Sequence, residues 1–139
     1  MSIYEKHARI VQSLDVPKVH RVNDNKFVTR LLPDLLEALK PLMKKNKVTI
    51  IFNDTREIID GRCYIKAEAT MIDTEDIEQP IISAESSSSE HVAVMSPIDF
   101  ARYNALCALF FLDTSFDEVS KLEDAASKFS DSGIPFEVK

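Results

Sequence analysis

Apolar side chains recur at helical spacing in four stretches of the chain. These stretches are residues 2–14, 33–43, 96–112 and 115–129. Apolar residues at intervals of three and four positions are typical of helices with one buried face. The sequence therefore predicts two helices near each end of the chain.

Residue types at the helix ends support these predictions. Pro33 suits a first helical turn, where its missing N–H has no intrahelical partner, whereas Pro41 is expected to kink the last turn of the same helix. Ser96-Pro97 gives the third helix an N-cap serine followed by proline. Ser115 with Glu118 reads as a capping box for the fourth.

Strand patterns lie between the second and third helices. Residues 47–53 and 62–72 alternate apolar and polar positions, and Asp60-Gly61 before the second run is a favourable hairpin turn. A third strand is expected around residues 81–84, followed by a flexible loop at serines 86–89. In the second strand the apolar face is expected to contain Cys63, Ile65, Ala67, Ala69 and Met71.

This order of elements predicts an α+β fold in which an antiparallel sheet of about three strands packs with helices. We expect one domain over residues 1–130 and an extended tail over residues 131–139. Residues 18–30 are expected to be a polar, mostly basic stretch around Phe27.

Composition excludes several activities. Glycine occurs at two positions, Gly61 and Gly133, so the clustered glycines that cradle a phosphate or a dinucleotide are absent from the sequence. The two cysteines, Cys63 and Cys107, lie far apart and are expected to be buried thiols rather than zinc ligands or a disulfide. We find no signal segment and no apolar run near the ~20 residues of a membrane span, which predicts a cytoplasmic protein without membrane contact.

Charge is divided unevenly along the chain, although the net charge is −6. Residues 1–66 contain 13 basic and 8 acidic side chains, whereas residues 67–139 contain 4 basic and 15 acidic ones. Binding of a polyanion depends on the local field, so a basic surface backed by an acidic one is one interpretation. The other interpretation is a solvated surface on which the charge is simply distributed unevenly.

Side chains capable of catalysis or metal binding form no recognisable pattern. The histidines His7, His20 and His91 have no nucleophile or carboxylate at motif spacing, and no cofactor is expected. The acidic residues 73–78 could attract a divalent cation or could form a solvated loop, because they lack the glycine and periodicity of a calcium loop. The lysines 44, 45 and 47 could form a basic surface or could complement the end of the second helix.

Alternating positions of the second strand carry Arg62, Tyr64 and Lys66. Cations along the phosphates and an aromatic ring under a base are what single-stranded nucleic acid requires, and this face offers both. An exposed sheet face without a ligand can have the same pattern. Residues 18–30 would extend this basic surface if they lie next to the second strand in the fold.

Several short segments resemble, in the same order, the essential recombination function (ERF) family of phage single-strand annealing proteins. The resemblance runs from about Ile3 to Asp117. It is carried by Leu-Leu-Glu-Ala-Leu-Lys-Pro-Leu at residues 35–42, by Gly-Arg-Cys-Tyr-Ile-Lys-Ala at residues 61–67 and by the segment from Phe100 to Asp113. Members of the family begin the late helix with a stretch rich in hydroxyl side chains. This sequence departs from that stretch at Asp99, Phe100, Tyr103 and Asn104, and Arg102 is the basic residue that it has in common with the family there.

The resemblance implies a single-strand annealing fold whose subunits assemble into rings or filaments with a basic groove. It also implies ATP-independent binding and annealing of single-stranded DNA in homologous recombination inside a bacterial host cell, with no enzymatic activity. The residues expected to bind DNA are Lys18, Arg21, Lys26, Arg30, Arg62, Tyr64, Lys66 and Arg102.

Two further expectations concern protein partners. Residues 131–136 are similar to the acidic Ile-Pro-Phe tip of bacterial single-stranded DNA-binding proteins, so a host or phage protein of that kind is a candidate partner, although residues 137–139 follow the phenylalanine. The altered entry into the late helix and the acidic second half also suggest an alternative function. In that alternative the fold is a protein-interaction or inhibitory module that does not anneal DNA.

Overall fold

A computed structural model describes residues 1–89 and 95–119 as three helices and six strands. They confirm the α+β class. The helices are α1 (Ile3–Ser13), α2 (Leu32–Asn46) and α3 (Pro97–Leu109), and the strands are β1 (His20–Val22), β2 (Phe27–Thr29), β3 (Val48–Ile59), β4 (Arg62–Asp73), β5 (Ile82–Ser88) and β6 (Asp117–Glu118).

The chain divides into two compact units. The first combines Met1–Pro17 with Arg30–Thr114 and contains all three helices with β3, β4 and β5. The described part of the second combines Lys18–Thr29 with residues 115–119 and contains β1, β2 and β6. Among the helices of the described residues, none is long and apolar enough to cross a membrane.

Polar side chains cap the first turn of each of the three helices, and α3 begins after Ser96 as predicted. The Ser2 and Ser96 hydroxyls each accept a backbone N–H of the first turn, from Glu5 and Asp99 respectively, at 3.2 Å. At α2 the Asp34 carboxylate instead accepts the N–H of Leu31, at 2.9 Å. These bonds satisfy N–H groups that have no intrahelical partner.

The sheet of the first unit is an antiparallel meander in the order β3-β4-β5. The turn between β3 and β4 is formed by Asp60 and Gly61, whose φ angles are 51° and 77°. Positive φ at both central residues gives the turn type that matches strand twist in two-residue hairpins. The predicted turn is therefore confirmed, and β3 extends to Ile59, well beyond the predicted residue 53.

One face of this sheet packs against the helices. Alternate residues of β4, including Ala67, Ala69 and Met71, are fully buried, as are Leu35 of α2 and Leu106 of α3. The opposite face of the sheet is turned away from this core and carries the polar side chains of β4. Cys63 departs from the prediction, because it is exposed near the start of β4.

The second unit contains two differences from the predicted elements. Within the predicted polar stretch 18–30, residues 20–29 form the β1-β2 hairpin, with Asn23, Asp24 and Asn25 all at positive φ in its turn. Asp117 and Glu118 pair with β2 as the strand β6, so the predicted capping box at Ser115 is wrong. Backbone pairing with a distant strand here prevails over a local helix-start signal.

A third difference concerns the serines after Ile82. Ser86, Ser87 and Ser88 belong to β5 because β4 supplies backbone partners for them, in contrast to the predicted flexible loop. The predicted helical residues 120–129, the tail 131–139 and residues 91–94 lie outside the described residues.

Candidate nucleic-acid interface

Arg62, Tyr64 and Lys66 lie on the outer face of the β3-β4-β5 sheet. They alternate with the buried residues Ile65 and Ala67, so the pleat directs them away from the helices. Arg62 is exposed, whereas Tyr64 and Lys66 are half-buried. The predicted spacing of cations and an aromatic ring on one face is therefore present.

Acidic side chains share this outer face with Lys66. Its Nζ lies 3.2 Å from Glu85 Oε2 of β5. The hydrogen bond to Glu85, and the charges of Glu57 and Glu68, raise the pKa of Lys66. The sequence pattern of β4 alone did not reveal these carboxylates, because two of them come from neighbouring strands. They reduce the positive potential that a phosphate would meet here.

Arg102 connects α3 to the sheet. Its Nε donates to Asp54 Oδ2 at 3.0 Å, its Nη2 donates to the same oxygen, and its guanidinium lies 5.0 Å from the centre of the Phe52 ring. The hydrogen bond to Asp54 raises the pKa of Arg102. A cation held between a carboxylate and an aromatic face has part of its charge compensated within the protein.

Arg30 is buried, with 8% of its surface exposed. Its Nε donates to the carbonyl of Val16 at 2.9 Å, and its Nη1 donates to the carbonyl of Asp113 and to the Tyr103 hydroxyl. Burial raises the pKa of Tyr103 to about 12. The guanidinium thus joins three distant segments of the first unit.

Lys18, Arg21 and Lys26 belong to the second unit and have different environments. The Lys18 side chain is 9% exposed, and its Nζ lies 3.2 Å from Asp117 Oδ1. Arg21 on β1 and Lys26 before β2 are exposed, and neither forms an ion pair with another described residue. In this unit Arg21 and Lys26 offer the more accessible positive charge.

A further basic surface lies on the helices of the first unit, and Arg9 is the part of it that the sequence pattern did not predict. Arg9 of α1 and Lys45 of α2 are exposed and line a cleft between these helices, here called the α1–α2 cleft. The lysines at positions 44, 45 and 47 were a signal for α2. Arg9 gave none, because a lone arginine on an exposed helix position is common.

The acidic residues 73–78 are partly used for folding. Asp73 is buried. Its Oδ1 accepts a hydrogen bond from the Lys6 ammonium at 2.9 Å and further hydrogen bonds from the backbone N–H groups of Glu75 and Asp76. Within the described residues, no group of three or more His, Cys, Asp and Glu side chains has an arrangement that could hold a metal ion.

Comparisons with known proteins place these observations in a family. The ERF superfamily profile matches residues 3–128. The essential recombination function protein of Salmonella phage P22 is 29% identical over 119 residues, which cover 82% of this chain and 57% of that protein. This chain therefore corresponds to little more than half of its relative's length, and no solved structure matches it. Because the family profile extends over most of the sequence, the chain belongs to the ERF superfamily.

Proposed function

We propose that this protein binds single-stranded DNA and anneals complementary strands without ATP, as a homo-oligomer in phage-type homologous recombination. The observation that carries the proposal is the match of residues 3–128 to the ERF superfamily, together with the name of the phage P22 relative. Its setting would be the cytoplasm of a bacterial host, and its role would be to bring strands together rather than to catalyse a bond change.

The accessible cations are the groups that would hold the DNA backbone. Arg21 and Lys26 on the β1-β2 hairpin, and Arg62 on the sheet, are exposed and would neutralise phosphates. Tyr64 would provide a stacking surface for a base, which leaves the pairing edge of that base open to a complementary strand. Lys66 and Arg102 would contribute less, because carboxylates already accompany them.

An annealing assay tests this function. Two complementary oligonucleotides with a fluorescence donor and acceptor are mixed with the protein in the absence of any nucleotide. We expect pairing to be accelerated at low salt and the acceleration to decrease as salt rises. Pairing at the rate of the protein-free mixture, at a salt concentration where the protein is folded, would contradict the proposal.

The contribution of the sheet face has its own test. Arg62→Glu with Lys66→Glu should weaken binding of single-stranded DNA and reduce its dependence on salt, because two phosphate contacts are removed. Lys40→Glu with Arg56→Glu is a control with the same change in net charge at exposed positions. Equal effects of the two double variants would remove the sheet face from the DNA site.

A second candidate function is a protein-interaction or inhibitory module. The ion pairs of Lys66 and Arg102 favour it, because they compensate cations that DNA binding would use. The excess of acidic residues in 67–139 would then form the contact surface. In that case the protein would retain a purified recombination partner after nuclease treatment and would fail to bind single-stranded DNA at low salt.

A further inference from the structure

The α1–α2 cleft lies in the first unit and combines two faces of neighbouring helices. It has a volume of about 230 Å³ and is lined by Arg9, Gln12, Ser13, Leu42, Lys45 and Asn46. On each helix the three residues have the spacing of one face, i, i+3 and i+4. The arrangement therefore follows from the helical geometry and needs no unusual loop.

The lining of the cleft is cationic and polar. None of the six lining residues is acidic, and Leu42 is the apolar one among them. Sites for small organic ligands are larger, at roughly 300–1,000 Å³, and are mostly apolar. The size and chemistry of the α1–α2 cleft instead suit a small, strongly hydrated anion.

The charges of this cleft are available for a ligand. Neither Arg9 nor Lys45 forms an ion pair or a side-chain hydrogen bond with another residue of the described ranges, and Lys44 beside them is also exposed and without such a contact. Glu5, one turn before Arg9 on α1, forms no ion pair with it. Lys6, Lys18, Lys66 and Arg102, in contrast, all have carboxylate partners.

The ends of the two helices oppose anion binding to a limited extent. Both helices end near the cleft, and carbonyl groups at a helix end repel an anion. At α2 the carbonyl of the C-cap residue Lys47 is already occupied, because it accepts hydrogen bonds from the N–H of Thr74 at 3.0 Å and from the Thr74 hydroxyl at 2.7 Å. Two full positive charges outweigh the partial charges that remain.

We propose that the α1–α2 cleft binds phosphate groups of the single-stranded DNA backbone. Arg9 would bind two phosphate oxygens through its planar guanidinium, Lys45 would supply a second charge, and Gln12 and Ser13 would supply neutral donors. The assignment of DNA as the source of the phosphate rests on the proposed function. The presence of a phosphate site does not.

A charge-reversal experiment tests the DNA part of this inference. Binding of fluorescent oligothymidylate is measured across a salt series for the wild type, for Arg9→Glu with Lys45→Glu, and for the control Lys40→Glu with Arg56→Glu. We expect the cleft variant, Arg9→Glu with Lys45→Glu, to bind about tenfold more weakly. The slope of log K against log salt should be shallower by about 1.4, since two phosphate contacts are lost and each contributes about 0.7 for single strands. The control should change affinity by less than about threefold, and circular dichroism checks that all variants fold.

The second part of the test is a titration with pyrophosphate. Binding is monitored by the chemical shifts of backbone amides and arginine side chains in nuclear magnetic resonance spectra. Shifts centred on Arg9, Ser13 and Asn46, lost in the cleft variant, would support the phosphate site. If the wild type binds no DNA but pyrophosphate shifts the signals of the cleft residues, DNA is overturned as the source of the phosphate. The proposed function is then contradicted as well. If the wild type binds DNA and the cleft variant behaves as the control does, the inference is overturned while the proposed function stands.

Discussion

At the scale of single residues, several charged side chains hold the first unit together from inside. Lys6 and Asp73 are almost completely buried, with 4% and 2% of their side chains exposed, and Glu75 also bonds to the Lys6 ammonium at 2.9 Å. A buried charge without a partner is costly, whereas a paired one is tolerated. The ion pair therefore fixes α1 against the end of β4.

The ion pair predicts a dependence of stability on pH. Burial lowers the pKa of Lys6, but its hydrogen bonds to Asp73 and Glu75 raise that pKa above its usual value overall, and the bonds to Lys6 lower the pKa of both carboxyls. A carboxyl whose pKa is lower in the folded than in the unfolded state stabilises the fold at pH values above its unfolded pKa. This stabilisation is lost as the pH falls through the folded-state pKa. Lys6 keeps its contribution until pH rises through its raised pKa.

We therefore expect the Tm to decrease below about pH 4, because these carboxyls are then protonated in the unfolded chain while the fold still holds them charged. Lys6→Met removes the ammonium and should lower the Tm at pH 7, because Asp73 is then buried without its partner. The difference in Tm between wild type and variant should shrink as pH falls, since protonated Asp73 no longer needs a cation. A difference that stays constant from pH 7 to pH 3 would show that the pair does not act in this way.

Arg30 provides a second prediction at this scale. Arg30→Met should lower the free energy of unfolding by about 2–3 kcal/mol, because the carbonyls of Val16 and Asp113 lose their donor inside the protein. Urea unfolding measures this change. Arg56→Met, at an exposed position of β3, is the control and should change stability by less than about 0.5 kcal/mol. Equal effects would mean that the guanidinium of Arg30 is not structurally important.

At the scale of elements, the end of α3 contains a conformational strain. Phe111 has a φ of 59° directly after the C-cap Phe110, and the Leu112 N–H donates to Cys107 O at 2.8 Å. This is the position at which glycine is preferred, because a Cβ is unfavourable in the left-handed region. Phe111 is 76% exposed, so burial does not offset the strain, although its ring lies edge-to-face with that of His7.

Phe111→Gly should therefore stabilise the protein by about 0.5–1 kcal/mol, measured as an increase in Tm. Phe111→Ala serves as the control, because it removes the ring but keeps the Cβ that causes the strain. We expect the alanine variant to be no more stable than the wild type. A glycine variant of lower Tm than the wild type would show that the contact with His7 holds the end of the helix.

The elements also show how much the sequence could reveal. The three described helices and the β3-β4 hairpin were predictable, because caps, apolar spacing and Asp60-Gly61 are local signals. The strands β1, β2 and β6 were missed because each has only two or three residues, too few to show an alternating pattern, and because β6 depends on pairing with the distant β2. The serines of β5 are in a strand for the same reason, since β4 provides their partners.

The candidate site was less predictable than the fold. The outer position of Arg62, Tyr64 and Lys66 followed from alternation along one strand, but the nearby Glu85 and Glu57 belong to other strands. Whether an arginine is accessible or buried also depends on contacts far away in sequence, as Arg30 and Arg9 illustrate. Local patterns do not contain that information.

At the scale of the whole molecule, exposed cations that form no ion pair with another described residue occur in both units. Arg21 and Lys26 are accessible in the second unit, and Arg9, Lys44 and Lys45 are accessible in the first. The net charge of −6 does not prevent DNA binding, because phosphates respond to the field near the surface they approach. Binding through such groups is necessarily sensitive to salt.

The measurement that tests the central claim most directly is the binding of fluorescent single-stranded DNA across a salt titration, with the mass of the protein determined by light scattering in the same buffers. We expect an oligomer much heavier than the 15.7 kDa chain to bind the DNA, with log affinity falling linearly as log salt rises. A folded protein that binds no single-stranded DNA at low salt would contradict the proposed function and favour the protein-interaction alternative.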